Sequence, residues 1–385
     1  MQKADKPKNR LFYIDNIRLC MIIIVVLVHT SVTYSGIGSW YYVEDKSIDT
    51  VSKILFAMFN TFSQAYFMGF LFLIAGYFIP AAFDKKGFGK FVKDRFIRLG
   101  IPVTIFIFII HPFMVYLLMK VIINKPVPKI TDYYINSIKS FGFLGNTGPL
   151  WFAFALLIFS IFYAAIRVFS KQTIRISDYK KQPSHLSIIL LILLVSVLNF
   201  IVRIFQPFGT EIMNMQLCFF SQYITLFIIG ILAYRNNWLT NLSYKFGTFW
   251  LKAGLSLGFI IWLLLMLFGG PLAGKEYLIL GGLYWQSAVY ALWEQLVCAG
   301  MCLGLLVIFR DKFNHQGKFV KFLSQNAFGV YVFHAPILVG ISLILRNLHL
   351  YPLVKFIIVG LITLAAAFTF SSLIRKVPFL KAVFS

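Results

Sequence analysis

The chain has 385 residues, of which 59% are hydrophobic and only 13% are charged, and its mean hydropathy is +0.82. This composition excludes an ordinary soluble globular protein. Apolar runs of about 20 residues recur along the sequence, and each is long enough to cross a bilayer core of about 30 Å. Because lipid offers the backbone no hydrogen-bond partners, such runs predict helices, and the alternating pattern of a membrane barrel does not occur.

The formal net charge of +23 first suggests a nucleic-acid partner, but the distribution of the charge argues against one. Most of the 36 Lys and Arg residues fall in loops on one side of the predicted membrane helices. Cytoplasmic loops typically carry such an excess, so the charge mainly indicates topology. We therefore expect a multi-pass protein in the lipid bilayer, with a basic tail at residues 1–12, both termini in the cytoplasm and no nucleic-acid partner.

About ten membrane spans are predicted from the apolar runs. In chain order they cover residues 14–35, 54–80, 99–122, 149–169, 186–205, 217–234, 249–268, 286–309, 323–345 and 353–374. Ile101-Pro102 and His111-Pro112 predict kinks in the third span, because proline cannot donate a backbone hydrogen bond. We find no internal repeat, and we expect one all-α, membrane-embedded domain over residues 1–385 with no fused soluble domain. The sequence specifies no oligomeric state.

The first span carries a charged pair and a histidine. Residues eleven apart in a helix differ by about 20° in rotation and roughly 16 Å in rise, so Arg18 and His29 share one face, with Asp15 one turn before Arg18. A cation near one membrane surface and an imidazole deeper in the helix would suit a substrate that lies along it. Two simpler interpretations stay open: Arg18 extends its guanidinium to the lipid headgroups, and His29 is a packed histidine bonded to a neighbouring helix.

Further charged or titratable side chains fall within predicted spans, where such residues are functional candidates by default. An ionised Glu294 needs a partner, which could be an Arg or Lys of a neighbouring helix. His334 could hydrogen-bond a carbonyl freed by Pro336. His111, which directly precedes a proline, is interpreted as structural. Arg203 is close enough to a membrane interface to extend its guanidinium to the headgroups.

The loop after the second span is the most basic stretch of the chain, with Lys90 and Lys93 before Arg95 and Arg98. The two arginines, at positions i and i+3, share a helical face, and guanidinium groups suit phosphate recognition. The alternative is ordinary cytoplasmic loop charge. No cluster of His, Cys or carboxylate side chains has the spacing of metal ligands, so neither a metal site nor a tightly bound cofactor is predicted.

Several short motifs follow one another over almost the whole chain. They are Asp15-x-x-Arg18 with Arg18-x10-His29, Phe72-Leu73-Ile74-Ala75-Gly76-Tyr77-Phe78, Arg95-x-x-Arg98-Leu99-Gly100-Ile101-Pro102, Leu150-Trp151-Phe152 and Tyr331-Val332-Phe333-His334-Ala335-Pro336. In order and placement they resemble the acyltransferase 3 family of polytopic membrane O-acyltransferases. Gly281-Gly282-x-Tyr284-Trp285 with Tyr290-Ala291-x-Trp293-Glu294 is similar to the branch that succinylates periplasmic glucans. One departure is Ala75, where many members have serine.

The resemblance implies an enzyme of the bacterial cytoplasmic (inner) membrane. Such an enzyme moves an acetyl or succinyl group from cytosolic acyl-CoA, its donor substrate, to a hydroxyl of an extracytoplasmic glycan or another cell-envelope acceptor. The resemblance also implies that His29 is catalytic, as a general base or as a transient acyl carrier, and that Asp15 orients Arg18. The charged end of acyl-CoA would meet Arg18, Arg95 and Arg98.

The acceptor site is less defined by sequence. Glu294, His334, Trp151 and Trp285 are the candidates for binding the acceptor or for building a pore. A proton-coupled transporter of a glycan precursor or an organic acid is the alternative from another class, because intramembrane Arg, Glu and His residues are typical of transporters too. Transporters often show two matching halves, which this sequence lacks, and the acyltransferase is therefore favoured.

Overall fold

The computed structural model describes residues 11–44, 48–122, 126–143, 145–170 and 182–384. These residues contain no β-strand and one isolated bridge, between Ile212 and Met215. In chain order the α-helices are α1 (Phe12–Ser35), α2 (Thr50–Arg95), α3 (Ile101–Ile105), α4 (His111–Ile122), α5 (Ile130–Lys139), α6 (Trp151–Phe169), α7 (His185–Phe205), α8 (Phe220–Arg235), α9 (Trp238–Asn241), α10 (Tyr244–Phe268), α11 (Tyr277–Leu280), α12 (Trp285–Lys312), α13 (Lys318–Ile344), α14 (Pro352–Ile374) and α15 (Pro378–Phe384).

Within the described ranges, nine helical stretches are long and apolar enough to cross a membrane. One of them, Thr50–Ile122, has 73 residues. Gly87 interrupts it with a positive φ of 69° and a ψ of 173°, so that two helices meet there. The predicted second and third spans lie on either side of this break. The prediction of an all-α, polytopic membrane protein is confirmed, and most of the predicted basic tail lies outside the described residues.

The two kinks predicted in the third span are widened, π-helical turns. The N–H of Ile101 donates to the carbonyl of Phe96, five residues earlier, and the N–H of His111 donates in the same way to Phe106. In each case the next residue is a proline, which has no N–H for the regular bond to the residue four positions before it. The helix accommodates the missing donor by adding a residue to the turn.

Two helices outside the predicted spans pack against this segment. Pro112 cannot bond the carbonyl of Phe108, and the hydroxyl of Tyr134 in α5 donates to that carbonyl instead. At the other end of the chain, α15 buries Val383 and Phe384 against the first widened turn and α3. Both helices therefore contact backbone next to a proline, where a regular helical hydrogen bond is missing.

Helix α1 is the most deeply buried of the nine apolar stretches. It packs against α2, α12, α13 and α14. Near its start, the side-chain amide of Asn16 donates to the carbonyl oxygens of Phe313 at 2.7 Å and His315 at 3.1 Å, in the connection between α12 and α13. Near its end, the hydroxyl of Tyr34 donates to that of Ser342 on α13 at 3.3 Å. Both ends of α1 are thus bonded to the same part of the fold.

Helices α2 and α8 cross with almost no space between their backbones. A Cβ atom added at Gly76 would lie 2.1 Å from the carbonyl oxygen of Phe227, and one added at Gly230 would lie 2.1 Å from that of Leu73. No side chain can approach a backbone so closely, so both positions require glycine. Small residues at such crossings let membrane helices pack through close backbone contact.

We expect residue 90, in the basic segment after Gly87, to face the cytoplasm, because cytoplasmic loops carry the excess of Lys and Arg. In a chain whose four cysteines have been replaced, a single Lys90→Cys should react with a membrane-impermeant maleimide only after the cells are permeabilised. Lys275→Cys, in a loop predicted on the opposite side, is the control and should react in intact cells. Labelling of residue 90 in intact cells would refute this topology.

Candidate active site

His29 lies in the last third of α1 and is enclosed by aromatic rings. Its imidazole stacks on the indole of Trp40, with ring centroids 3.9 Å apart and planes inclined by 22°. The imidazole of His334, on α13, stacks at a centroid distance of 5.1 Å with planes inclined by 13°. His29 remains partly exposed, whereas His334 is fully buried. Two imidazoles from opposite ends of the chain therefore meet in one cluster with the indole of Trp40.

The two ring nitrogens of His334 have different roles. Nδ1 lies 2.7 Å from the carbonyl oxygen of Tyr331. A carbonyl only accepts, so Nδ1 carries the hydrogen and Nε2 of the neutral ring keeps a free lone pair. Nε2 is buried and has no hydrogen-bond partner in the described part of the chain. Pro336 has no N–H to bond the carbonyl of Val332, four residues earlier. A bond from His334 to this freed carbonyl was expected, but His334 bonds the carbonyl of Tyr331 instead.

Trp40 and Tyr41, in the loop after α1, form an aromatic cover over His29. The ring of Tyr41 lies 5.6 Å from that of His111, measured between centroids. His111 therefore belongs to the wall of this cluster, although the sequence suggested only a structural role. Burial raises the pKa of the Tyr41 phenol, and the carboxylate of Glu211 raises it further. At neutral pH the phenol is therefore a neutral hydrogen-bond donor.

The aromatic cover is held in place from several directions. The backbone N–H of Glu44 donates to the carbonyl of Thr33, in the last turns of α1, at 3.0 Å. The carboxylate of Glu44 forms an ion pair with the ammonium group of Lys355 on α14, whose side chain is 2% exposed. Gly148 packs directly against Tyr41, because a Cβ atom there would lie 2.3 Å from the phenol oxygen. A buried charge and a close backbone contact thus fix the loop over the imidazole.

Arg18 lies about three turns of α1 away from His29. Its Nη1 is 3.4 Å from Oδ1 of Asp15, and its guanidinium lies 5.2 Å from the ring centroid of Phe78 on α2. The side chain of Arg18 is still 43% exposed. Asp15 and the phenyl ring therefore orient a cation that solvent can reach, at the opposite end of α1 from the imidazole cluster.

Arg95 and Arg98 lie where α2 passes into the first widened turn. The guanidinium of Arg95 lies 4.9 Å from the ring centroid of Phe91. Arg98 is exposed. Phe91 in turn packs on Phe83, with ring centroids 5.5 Å apart. One arginine is thus held by an aromatic stack and the other is open to solvent.

Two more arginines, not predicted from sequence, surround the same aromatic stack. Arg167 lies 5.2 Å from the ring centroid of Phe83, donates to the hydroxyl of Tyr163 at 2.9 Å and pairs with Asp84 at 2.9 Å. Arg235 donates to the same hydroxyl at 3.3 Å. Both lie at the ends of apolar helices, where basic residues are common because they set the orientation of the helix in the membrane. No local pattern indicates that Arg167 packs on the same aromatic stack as Arg95.

Glu294 and Arg203 form a fully buried ion pair between α7 and α12, with Nη2 and Oε2 2.5 Å apart. Asn199 and Gln295 donate to the same carboxylate oxygen at 3.0 and 3.3 Å. The interpretation of Glu294 as the partner of a basic residue is confirmed. The expectation that Arg203 extends to the headgroups is wrong, because its guanidinium lies 4.5 Å from the ring centroid of Phe208, between the aromatic ring and the carboxylate. A cation with both contacts can stay buried.

The two tryptophans predicted for the acceptor or pore have different surroundings. Trp151 begins α6 and stacks on Tyr223 at a centroid distance of 5.6 Å. The carbonyl of Pro149 beside it accepts from the hydroxyl of Tyr331 at 2.6 Å, which ties the start of α6 to the helix of the second imidazole. Trp285 begins α12 and is 59% exposed. Trp151 is therefore a half-buried residue packed against the core, whereas Trp285 is mostly exposed.

Trp40, Tyr41 and Lys355 were not predicted as site residues. A weak signal existed for the first two, because an aromatic run directly follows the first span. Lys355 and its partner Glu44 are 311 positions apart. No local pattern could have joined them.

A separate cavity of about 300 Å³ lies between α7, α8 and α12. Its lining is mostly aliphatic, with a few polar side chains such as Gln222 and Gln295. None of the imidazoles or exposed arginines described above lines it. The titratable groups in its lining are the thiols of Cys298 and Cys302, whereas the imidazole cluster contains two ring bases and is the better candidate for an active site.

We predict that the buried pair stabilises the fold strongly. Glu294→Gln leaves the cation of Arg203 without a counter-ion and should lower the free energy of unfolding by about 3–5 kcal/mol, whereas the double variant Arg203→Met with Glu294→Leu should recover most of the loss. Thermal unfolding in detergent, followed by tryptophan fluorescence, measures both.

The exposed pair of Lys53 and Glu276, with 57% and 43% of the side chains accessible, is the matched control. Replacing Glu276 by Gln should change stability by less than about 1 kcal/mol. Equal effects at Glu276 and Glu294, or a double variant as unstable as the single one, would contradict this prediction.

The chain is similar to known proteins along nearly its whole length. A family profile described as an acyltransferase domain matches residues 11–372. Proteins named glucans biosynthesis protein C from Salmonella paratyphi B and Salmonella dublin are each 24% identical to it over an alignment of 409 positions, which covers 93% of this chain and 96% of theirs. No solved structure matches the chain. The family match favours an enzyme over the transporter, and the chain belongs to the acyltransferase 3 family of membrane acyltransferases.

Proposed function

We propose that the protein transfers an acetyl or succinyl group from cytosolic acyl-CoA to a hydroxyl of an extracytoplasmic glycan, in the bacterial inner membrane. The observation that carries this proposal is the meeting of His29 with His334 and Trp40 at one end of α1, while Arg18 is exposed at the other end. Acyl transfer from a CoA thioester needs a base for the hydroxyl and cations for the phosphates. Helix α1 supplies both along one axis.

The donor would bind with its phosphates at the basic end of α1. Arg18, Arg95 and Arg98 are the proposed contacts, because guanidinium groups match phosphate oxygens. Asp15, 3.4 Å from Arg18, would hold that guanidinium in position. The pantetheine arm would then run along α1, over a rise of roughly 16 Å. The thioester could reach His29 while the nucleotide remained in the cytosol.

In the proposed reaction, His29 accepts the proton of the acceptor hydroxyl while the hydroxyl oxygen attacks the thioester carbonyl carbon. A C–O bond forms, and the carbonyl electrons move onto the oxygen to give a tetrahedral oxyanion. When this intermediate collapses, the C–S bond breaks and the leaving thiolate takes the proton from His29. The products are the ester and free CoA, and the imidazole is regenerated.

The acceptor is proposed to be a glucan, which the names of the relatives support. It would approach from the side of the aromatic cover, where Trp40 and Tyr41 combine apolar faces with polar edges. Trp285, exposed at the start of α12, is a proposed outer contact. Nε2 of His334 could accept a hydrogen bond from a glucan hydroxyl. Glu294, already paired with a buried arginine, would support the wall of the site without touching the acceptor.

We predict that His29→Ala and His29→Gln insert and stay monodisperse but lose turnover. A positioned general base contributes 10²–10⁴-fold, so transfer from acyl-CoA to glucan should slow by at least about 100-fold in each variant. Glutamine keeps hydrogen-bonding capacity but cannot take a proton, and it should therefore be as inactive as alanine. Initial rates with purified protein in nanodiscs, alongside gel filtration, test this.

His334→Gln is the matched comparison, because it alters the neighbouring imidazole. Its rate should exceed that of His29→Gln. If His29→Gln retains the wild-type rate while His334→Gln is inactive, then the base is His334 and the assignment to His29 is wrong.

Arg95→Ala and Arg98→Ala should weaken donor binding more than turnover. A lost charged hydrogen bond costs about 1.5–3 kcal/mol, which corresponds to a roughly 10- to 100-fold rise in the KM for acyl-CoA. The KM for glucan should stay unchanged. Lys318→Ala, which removes an exposed basic side chain at the start of α13, is the control. Unaltered acyl-CoA binding in both arginine variants would exclude these residues from the donor site.

A further inference from the structure

The indole N–H of Trp40 is buried and has no hydrogen-bond partner among the residues described. Buried indoles usually find one. Trp262 donates to the hydroxyl of Thr61 at 3.0 Å, and Trp293 donates to the carbonyl of Gly258 at 2.7 Å. An unpaired buried donor destabilises a fold. Trp250 has such a donor too, in a cluster with Phe246 and Val307. It is therefore the position of Trp40 beside His29 and His334 that points to a ligand.

The same cluster contains a complementary atom. Nε2 of His334 is a buried acceptor that also lacks a partner within the described ranges. The rings of Trp40 and His334 are 6.1 Å apart between centroids, with planes inclined by 15°, and both stack on His29. The two rings that stack on the proposed base therefore carry one free donor and one free acceptor. Acyl transfer brings a group that needs a donor, the thioester oxygen, and a glucan brings further hydroxyls that need an acceptor, besides the one whose proton His29 takes.

We infer that the indole N–H of Trp40 donates a hydrogen bond to the thioester carbonyl oxygen as that oxygen becomes the oxyanion. This role rests on the proposed function and adds a second catalytic residue to it. Trp40 keeps its hydrogen throughout, while His29 alone takes the hydroxyl proton and returns it to the thiolate. A donor aimed at developing charge in a site with little water stabilises the transition state more than the ground state.

Such a donor works only if it is held in position before the reaction. The stack on His29, with centroids 3.9 Å apart, fixes the plane of the indole against the base. The ion pair of Glu44 with the buried Lys355 fixes the loop that carries it. The other donor of the cover, the hydroxyl of Tyr41, packs against Gly148. Trp40 is therefore the better placed of the two to meet an oxygen beside His29.

The test compares Trp40→Phe with Trp250→Phe. Trp250 is also buried, at 5% exposure, and its N–H likewise lacks a partner in the described structure, but it packs in a different cluster with Phe246 and Val307. Trp40→Phe keeps an aromatic face and removes the donor. Its kcat for acyl transfer should fall by about 10²–10³-fold, as for the loss of an oxyanion donor, with little change in KM for acyl-CoA or glucan. Trp250→Phe should keep the wild-type kcat.

A second variant removes only the donor. Incorporation of 3-benzothienylalanine at position 40 replaces the indole N–H by sulfur in a ring of nearly the same shape, and should reproduce the kcat loss of Trp40→Phe. If Trp40→Phe unfolds in a thermal melt, the kcat of the benzothienylalanine variant alone shows whether the N–H is needed.

The outcomes separate the two proposals. A wild-type protein that does not transfer acyl groups overturns the proposed function, and this role for Trp40 with it. A wild-type protein that transfers them, with full kcat in the benzothienyl variant, overturns the role of Trp40 alone. A raised KM for glucan at unchanged kcat would make Trp40 a binding surface for the acceptor, and would also overturn the inference.

Discussion

The burial of α1 among four other membrane helices is the constraint on which the rest of the site depends. Asn16 is bonded to the connection between α12 and α13, and the carbonyl of Thr33 accepts from the backbone of Glu44. A helix rises 1.5 Å per residue, so a helix held at both ends fixes the distance between Arg18 and His29. A substrate that meets both must have a charged end and a reactive end separated by that distance. On the proposed function, a single rigid element would thus select the length of the donor.

Much of this architecture is local in origin, and that part could be predicted. A membrane span needs only length and apolarity, the pairing of Asp15 with Arg18 needs only helical spacing, and a kink needs only a proline. The stack of Trp40 on His29 has another origin, because it depends on how a loop folds back over the end of its own helix. The same holds for Lys355, whose partner is supplied by that loop.

The wrong expectation for Arg203 has a similar cause. Its position near the end of an apolar run is typical of an arginine that reaches the headgroups. In the fold, two loops cover that end. Phe208, in the connection after α7, covers the guanidinium, and the N–H of Gly282, in the loop before α12, donates to the carbonyl of Arg203. Hydropathy cannot reveal such a covering loop. The residue is then held by Glu294, because a buried cation without a counter-ion would be too unfavourable.

The contact between α2 and α8 limits how the molecule can move. With Gly76 and Gly230 against opposing carbonyls, the two helices have no clearance to slide or rotate past each other, and they form one mechanical unit. Gly87 is the opposite case: its φ is positive, and an added Cβ would meet nothing within 4 Å. Helix α2 is therefore clamped along its membrane portion and changes direction at one residue beyond it. The segment that carries Arg95 and Arg98 begins at this change of direction, and the packing of Phe91 on Phe83 and the ion pair of Lys86 with Asp94 tie it back to the part of α2 before Gly87. One glycine thus sets the direction in which both arginines leave the clamped helix.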